Sequence, residues 1–470
     1  MTAEEVVGDV LQVRAHGVTC AVGVAVPVAE GLDDGGVFAV VAVAAVDDER
    51  VAGRILPRAG RVTIASHRRR RPKRISMLLA IRVARIFDGR DLVPDAGVVL
   101  VDGGRIVGVE PIGFSIPADC EVLDRPSGTL LPGLIDAHLH LVADSGWGAL
   151  DRLAEFSDDD LTRTIEESLR IQLATGVTTV RDLGDMRWSV LEWRRRHVGG
   201  LPTVVASGPP ITSRGGHCWN MGGEASGVHE LRAAVRERVE RGADIVKIMA
   251  SGGMMTPGTE VDRAQFTAEE LAAVVDEAHA AGLPVTAHAH ALVAIRDAVA
   301  AGVDGIEHFT FLTADGVQLA EDVLAAVAAR GIVVCPTLGR APDAVAPPQL
   351  VERMRKAGLD LGARAGQMVH AHRAGVRIIT GTDGGINPGK AHGILPSAVV
   401  ALVSGGLSPA EALATATSLA ADACGLGDRK GRVRVGHDAD LVILDGDPLA
   451  DIGALNRLDT TILAGEVVAA

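Results

Sequence analysis

Residues 131–141 read LPGLIDAHLHL. Leu131, Leu134 and Ile135 have the makings of a buried strand. The run then meets Asp136 and delivers two histidines, His138 and His140, at its end. Side chains two apart on a strand share a face, so both rings aim at one point. A strand that begins in a core and ends in paired imidazoles belongs where strand ends converge on chemistry. The C-terminal mouth of a barrel of parallel strands is such a place.

Working outward from this stretch, seven more apolar strands follow, separated mostly by helical patterns. They are GVTTVRD ending at Asp182, PTVVASG at Gly208, DIVKIMASGG through Lys247 and PVTAHAH through His288. DGIEHF through His308, GIVVCPT at Thr337 and VRIITGTD at Asp383 complete the set. Helix signals lie between them. SDDDLTRTIEESLRIQLATG carries N-cap residues and a Gly stop. GVHELRAAVRERVERG is as clear, TAEELAAVVDEAHAAG adds a Thr-x-x-Glu capping box, and SPAEALATATSLAADACGLG closes the series. Eight β-α units in sequence predict an α/β fold, a (β/α)8 TIM barrel over residues 131–429. An open doubly wound sheet is disfavoured by the count and by the lack of GxGxxG after the first strand.

Both flanks of this region change texture. Residues 78–130 alternate apolar and polar around DG and GG turns, which predicts small antiparallel strands. Residues 430–470 do the same, so the two flanks are expected to pair as one composite β-sandwich. Residues 1–76 are rich in Val, Ala and Gly and end in the basic run SHRRRRPKRIS, residues 66–76. They are expected to be a poorly ordered extension, with Met77 a candidate start of the natural protein.

Composition narrows the function. The chain has 470 residues, 47% of them hydrophobic, enough for a large core. A net charge of −14 and the absence of tyrosine argue against a nucleic-acid reader. The five cysteines form no CxxC pair, so neither a disulfide framework nor a zinc knuckle is indicated and a reducing cytoplasm is expected. No apolar run reaches the ~20 residues of a membrane span, and the acidic MTAEEVVGDV does not resemble a secretory signal. The expected partner is a small-molecule substrate, with no nucleic acid and no membrane, in a homo-oligomer.

Polar residues at the predicted strand ends are His138 and His140 from the first strand, Lys247 from the fourth and His288 from the fifth. His308 comes from the sixth and Asp383 from the eighth. Each alone has an ordinary structural explanation. Together, imidazole and carboxylate suit a borderline divalent metal such as zinc. A protonated lysine binds no metal, but a lysine converted by CO2 to a carbamate does.

PGLIDAHLH, VKIMASGG, VTAHAH, GIEH, GTDGG and the tail GHDADLVILDGDPL, spread over residues 78–470, resemble the amidohydrolase superfamily. The similarity is greatest to imidazolonepropionase-related and Xaa-Pro dipeptidase-like metal-dependent hydrolases, through GVTTVRDLG, SGPPITSRGGH and AGVDGIEH. The resemblance implies a binuclear centre. His138, His140 and Asp383 would hold one ion, His288 and His308 the other, and N6-carboxylated Lys247 would bridge them together with a hydroxide. Asp383 would shuttle the proton from nucleophile to leaving amine. The implied reaction is hydrolysis of a C–N bond in a dipeptide or N-acyl amino acid. Cyclic amide, lactone or organophosphate hydrolysis is the alternative, and a catalytically silent scaffold a third reading.

Three further histidines are candidates. His290 shares the face of His288, as a substrate contact or a support for a ligand; related dipeptidases often carry Tyr there. His217 sits in the glycine-rich SRGGHCWN, a candidate flap. His392 follows the eighth strand and is a candidate for the pocket wall. Arg181 and Asp182 are expected to form an ion pair supporting the barrel mouth.

Overall fold

A computed structural model describes residues 78–197 and 199–468 in full, together with three strands nearer the N-terminus. The chain forms two compact units, Met1–Arg74 and Ile75–Ala470. In the first, β1 (Leu11–Ala15), β2 (Val18–Gly23) and β3 (Val43–Ala45) make an antiparallel sheet in that order. The rest of residues 1–76, basic run included, lies outside the described residues, and so does the expectation that it is poorly ordered.

The second unit opens with β4 (Leu79–Ile86), β5 (Ala96–Asp102), β6 (Arg105–Pro111) and β7 (Glu121–Pro132). The expected eight-strand series follows. β8 (Leu134–Leu139), β9 (Val177–Asp182) and β10 (Thr203–Ala206) form one parallel sheet, ordered β10-β9-β8. β11 (Val246–Met249), β12 (Val285–Ala291), β13 (Gly305–Thr313), β15 (Val333–Cys335) and β16 (Arg377–Ile378) form a second, with β14 (Gly316–Val317) turned back antiparallel on β13. All seven residues of β12 are buried, as parallel strands covered on both faces must be.

The two parallel sheets meet at single bridges rather than continuous ladders: Ile211 with Ile248, and Leu139 with Gly384. Backbone bonds thicken both joints. Met249 N donates to Ile211 O at 2.8 Å, and His140 N to Gly384 O at 2.9 Å. The second joint brings the end of the first strand against GTDGG. A Cβ at Gly381 would lie 2.6 Å from His138 N, so glycine is what lets the two backbones approach.

Helices follow most strands: α1 (Asp158–Ala174), α2 (Ser189–Arg196), α3 (Gly227–Glu240), α4 (Ala268–Ala280), α5 (Leu292–Ala301) and α6 (Glu321–Arg330). Then come α7 (Pro348–Lys356), α8 (Leu361–Arg373), α9 (Leu395–Ser404), α10 (Pro409–Thr415) and α11 (Ser418–Ala423). Capping boxes open α1 at Ser157 and α4 at Thr267. α1 then buries Leu161, Ile165, Leu169 and Leu173, a four-residue spacing that makes one face. SPAEALATATSLAADACGLG is two helices, not one. The chain breaks at Thr417, whose hydroxyl is shared between Leu413 O and Gly89 O, while Ser418 also donates to Gly89 O at 2.6 Å.

The chain ends with β17 (Leu441–Leu444), β18 (Leu458–Leu463) and β19 (Glu466–Val468). As expected, the flanks pair: β17 lies antiparallel on β7, in one seven-stranded sheet ordered β19-β18-β17-β7-β4-β5-β6. β4 and β7 run parallel, contrary to the all-antiparallel expectation. The chain returns over a connection long enough to cross rather than turn back. Ile81, Val99, Leu130, Leu441 and Ile443 form this sheet's own core.

Candidate active site

His138, His140, Lys247, His288, His308 and Asp383 all line one cavity of about 400 Å³, joined by His217 and His290. Lys247 is only 1% exposed. It comes from the middle of β11 and shares a cavity with imidazoles drawn from β8, β12 and β13. His392 does not line this cavity: its Nε2 donates to Ala143 O at 3.0 Å, away from the site.

Simple alternation explains part of this convergence. Glu307 is paired with His288 and Cys335 in the ladders, so these residues share a face. By alternation His308 would point the other way. Its φ of 69° turns the backbone into the left-handed region and brings the ring round to the cavity. Asp383, with φ 60°, is held in the same way. Such backbones persist only where the surroundings fix them. Arg364 does so at His308, donating to the carbonyls of His308 and Phe309.

The protonation of the rings can be read from their partners, because a carbonyl or carboxylate only accepts. His138 donates Nδ1–H to Glu307 at 2.7 Å, and His140 donates Nδ1–H to Gly184 O at 2.9 Å. His288 donates Nε2–H to Gly252 O at 3.2 Å. In His290 the partner is Thr310, whose own hydroxyl proton goes to His290 O, so Nδ1–H donates at 2.9 Å. His308 Nδ1 meets Thr337 Oγ1 at 2.9 Å. His138, His140, His288 and His290 thus each have one N–H engaged outside the cluster and a lone pair left for the cavity, the arrangement a metal-ligating histidine requires. Burial, helped by neighbouring charges, holds His288 and His308 well below the usual imidazole range and pushes His290 and His217 down to about 3. Burial thus favours the neutral form of these four rings.

The free Nε2 atoms of His138 and His140 lie 3.4 and 3.2 Å from the same Asp383 oxygen. Two lone pairs against a carboxylate repel unless a cation or proton lies among them. The donor set therefore fits a divalent metal. Two of the described groups able to hold one are His138, His140 and Asp383, and His288, His290 and His308. Burial also lowers the Lys247 pKa, which favours a neutral amine.

Two important residues escape sequence reasoning. Glu307 is buried and takes bonds from His138, from Thr286 Oγ1 at 2.6 Å and from Arg181 at 3.1 Å. Arg181 therefore pairs with Glu307, not with Asp182 as expected. Neighbours on a strand point to opposite faces, and Asp182 instead accepts from Leu141 N at 2.8 Å. Asp136 takes the Thr382 hydroxyl at 2.6 Å and so ties the first strand to the eighth; burial raises its pKa to about 6. The signal for both was present in the motifs LIDAH and GIEH, as a carboxylate one or two places before a ligand candidate.

The loop of residues 253–259, against which His217 packs, is anchored. Arg353 donates to the carbonyls of Gly253, Met254, Thr256 and Thr259, while Thr256 Oγ1 lies 2.8 Å from His217 Nδ1. Away from the imidazoles the cavity wall is apolar: Trp147, Leu150, Met254, Met255, Leu350 and Met354. Lys390 Nζ reaches the carbonyls of Thr337 and Gly339 at 2.6 and 2.9 Å, and Arg364 is engaged as above. Among the described residues, Arg340 is the cavity-lining guanidinium with no side-chain hydrogen bond or ion pair.

Comparison with known proteins shows the family. The chain is 27% identical over 435 residues to an ochratoxinase of Aspergillus niger, spanning 83% of this chain and 87% of that protein. It is 27% identical over 410 residues to an imidazolonepropionase of Mesorhizobium japonicum, spanning 77% and 89%. The crystal structure of a Xaa-Pro dipeptidase with bound methionine in the active site superposes with a TM-score of 0.71 at 25% identity, over 84% of this chain and all of that one. No helix among the described residues is long and apolar enough to cross a membrane. The model of the amidohydrolase family matches residues 129–468, so the chain belongs to that family and is a hydrolase acting on carbon–nitrogen bonds.

Proposed function

We propose that this protein is a metal-dependent amidohydrolase that cleaves the amide bond of a small N-acyl amino acid or dipeptide. The observation that carries this reading is the pair of imidazole lone pairs turned against Asp383, an arrangement that calls for a cation. His138, His140 and Asp383 would hold one divalent ion and His288 and His308 a second, with zinc the expected metal. Lys247 Nζ, whose burial favours the neutral amine, would add to CO2 with release of one proton, and the carbamate would join the ligand set. When bound, such ions acidify water and polarise a carbonyl. The eight strands are read as a (β/α)8 barrel and the seven-stranded sheet as a composite β-sandwich domain.

The chain's own residues do the rest. Asp383 takes a proton from the attacking water and gives it to the leaving nitrogen; transfer of this kind contributes ~10²–10⁴ in rate. Glu307 fixes the tautomer of His138. The Trp147, Leu150 and Met254 wall excludes water from an apolar acyl or side-chain group. Arg340 pairs with the carboxylate of the amino-acid half, in the fork geometry that suits that group.

The test is a hydrolysis screen of N-acyl amino acids and dipeptides beside their C-terminal primary amides. The screen is run with native protein, chelated protein and Arg340→Leu. The reading expects loss of activity on chelation, recovery with zinc, and a raised KM in Arg340→Leu for carboxylates only. Undiminished activity after complete metal removal would overturn it. Equal KM values for acids and amides would remove Arg340 from it.

A further inference from the structure

We infer that α7 is a lid that selects substrates with a bulky apolar acyl group and that Arg353 latches it; this rests on the amide-hydrolysis reading above. Two helices, α7 and α8, lie between β15 and β16. α8 turns Met368, Val369 and Ala371 to the core, whereas α7 buries none of its residues. Its half-buried positions Leu350, Arg353 and Met354 stand three and four apart, so they form one face. Leu350 and Met354 of that face line the cavity, where they continue the apolar wall of Trp147, Met254 and Met255. A helix that adds nothing to the core but walls the cavity serves the cavity. The volume, about 400 Å³, lies in the ~300–1,000 Å³ range of pockets for drug-sized ligands. An acetyl group would leave most of this wall facing water, whereas an aromatic or long aliphatic acyl group covers it.

The latch is polar. Arg353 Nη1 donates to Met254 O at 2.7 Å, and Nη2 to the carbonyls of Gly253, Thr256 and Thr259 at 3.0, 3.2 and 3.0 Å. Among the described residues no carboxylate pairs with this guanidinium, so its hydrogen bonds all run to one loop, the one that follows β11. Hydrogen bonds from a charged donor are the stronger kind, and here they stand in for the apolar packing that α7 lacks. The segment hangs between Gly339 and Gly358, whose left-handed backbones (φ 88° and 65°) make hinge points. Arg340 stands at its start. Closing the segment therefore brings the apolar face and the carboxylate partner onto the substrate together.

Steady-state assays of the zinc-loaded full-length protein on N-acetyl-, N-benzoyl- and N-octanoyl-alanine test selection. Wild type should favour the benzoyl and octanoyl amides over the acetyl one by at least about tenfold in kcat/KM, since one methylene in an apolar pocket is worth ~10–200-fold. The double variant Leu350→Ala, Met354→Ala should cut that preference at least about tenfold. Tryptic cleavage at Arg355 and Lys356 in α7, read by mass spectrometry, tests the latch. Arg353→Met should be cut there at least about tenfold faster than wild type, because cleavage follows the open population. Since α7 buries no residue, both variants should keep the wild-type melting temperature. An unchanged acyl preference in the double variant, or an unchanged cleavage rate in Arg353→Met, would overturn the inference. So would a clear fall in melting temperature, which would make α7 part of the core. A wild type that hydrolyses none of the three amides overturns the amide reading instead, and the cleavage rates still decide the latch.

Discussion

Glu307→Gln probes the ground on which the site stands. The substitution keeps the shape of the side chain and removes its charge. Glu307 receives His138 Nδ1–H at 2.7 Å, Arg181 at 3.1 Å and Thr286 at 2.6 Å. With the charge gone, Arg181 is left buried with one carbonyl partner, Ala137 O at 2.7 Å, and the amide oxygen. Breaking a buried pair from one side costs about 3–5 kcal/mol. The lower end, about 3 kcal/mol, applies here because glutamine still offers an oxygen. That is a large part of the ~5–15 kcal/mol that holds most folds together. The amide also has an N–H to present to His138, which loosens the tautomer; metal affinity should fall ~10–100-fold. Urea unfolding of metal-free protein, followed by tryptophan fluorescence, measures the first effect. All four tryptophans, Trp147, Trp188, Trp193 and Trp219, lie among the parallel strands and helices, so the signal reports that region. Adding Arg181→Met should recover part of the loss, because an apolar replacement of both charges is often neutral. A variant within about 1 kcal/mol of wild type, with unchanged metal affinity, would refute the reasoning.

Asp383→Asn should lower kcat by ~10²–10⁴ in steady-state assays while metal analysis still finds ions bound; full activity would remove the proton shuttle. Gly253→Ala should depress kcat/KM at least tenfold: the new Cβ would sit 2.3 Å from His217 Nε2, and Arg353 holds Gly253 O in place. An unaffected variant would show that the His217 ring is free to move. Burial, and then the charge of Asp182, raises the Asp185 pKa. A raised carboxyl contributes stability that is present below its ordinary pKa and lost as pH rises through the folded one. From about pH 4 to about 8 Asp185 therefore opposes the gain in stability that the buried neutral histidines give as pH rises, and Asp185→Asn should make stability climb more steeply with pH over that window in urea titrations. Parallel slopes would count against a buried neutral Asp185.

The eight strands were legible because each is a short apolar run ending in Gly, Asp or His, and period-2 alternation places His138 with His140 and His288 with His290 on shared faces. Alternation fails at His308 and Asp383, where left-handed backbones turn the side chains inward. Their place at the site is read from their position at the ends of the sixth and eighth strands, not from periodicity. Partners across strands were beyond reach. Arg181 was assigned to its sequence neighbour Asp182, yet it meets Glu307, 126 residues away. His392, close in sequence to Asp383, turns out to bond Ala143 instead. The parallel pairing of β4 with β7 was also hidden, since strand alternation carries no direction.

The central claim is that side chains from five strands hold two metal ions in one cavity. Anomalous diffraction from crystals of the protein as purified, collected at the absorption edge of the metal found in it, tests this most directly. Two peaks are predicted, one beside His138, His140 and Asp383, the other beside His288 and His308, with density extending Lys247 toward both. A cavity without anomalous peaks in fully active crystals would contradict it.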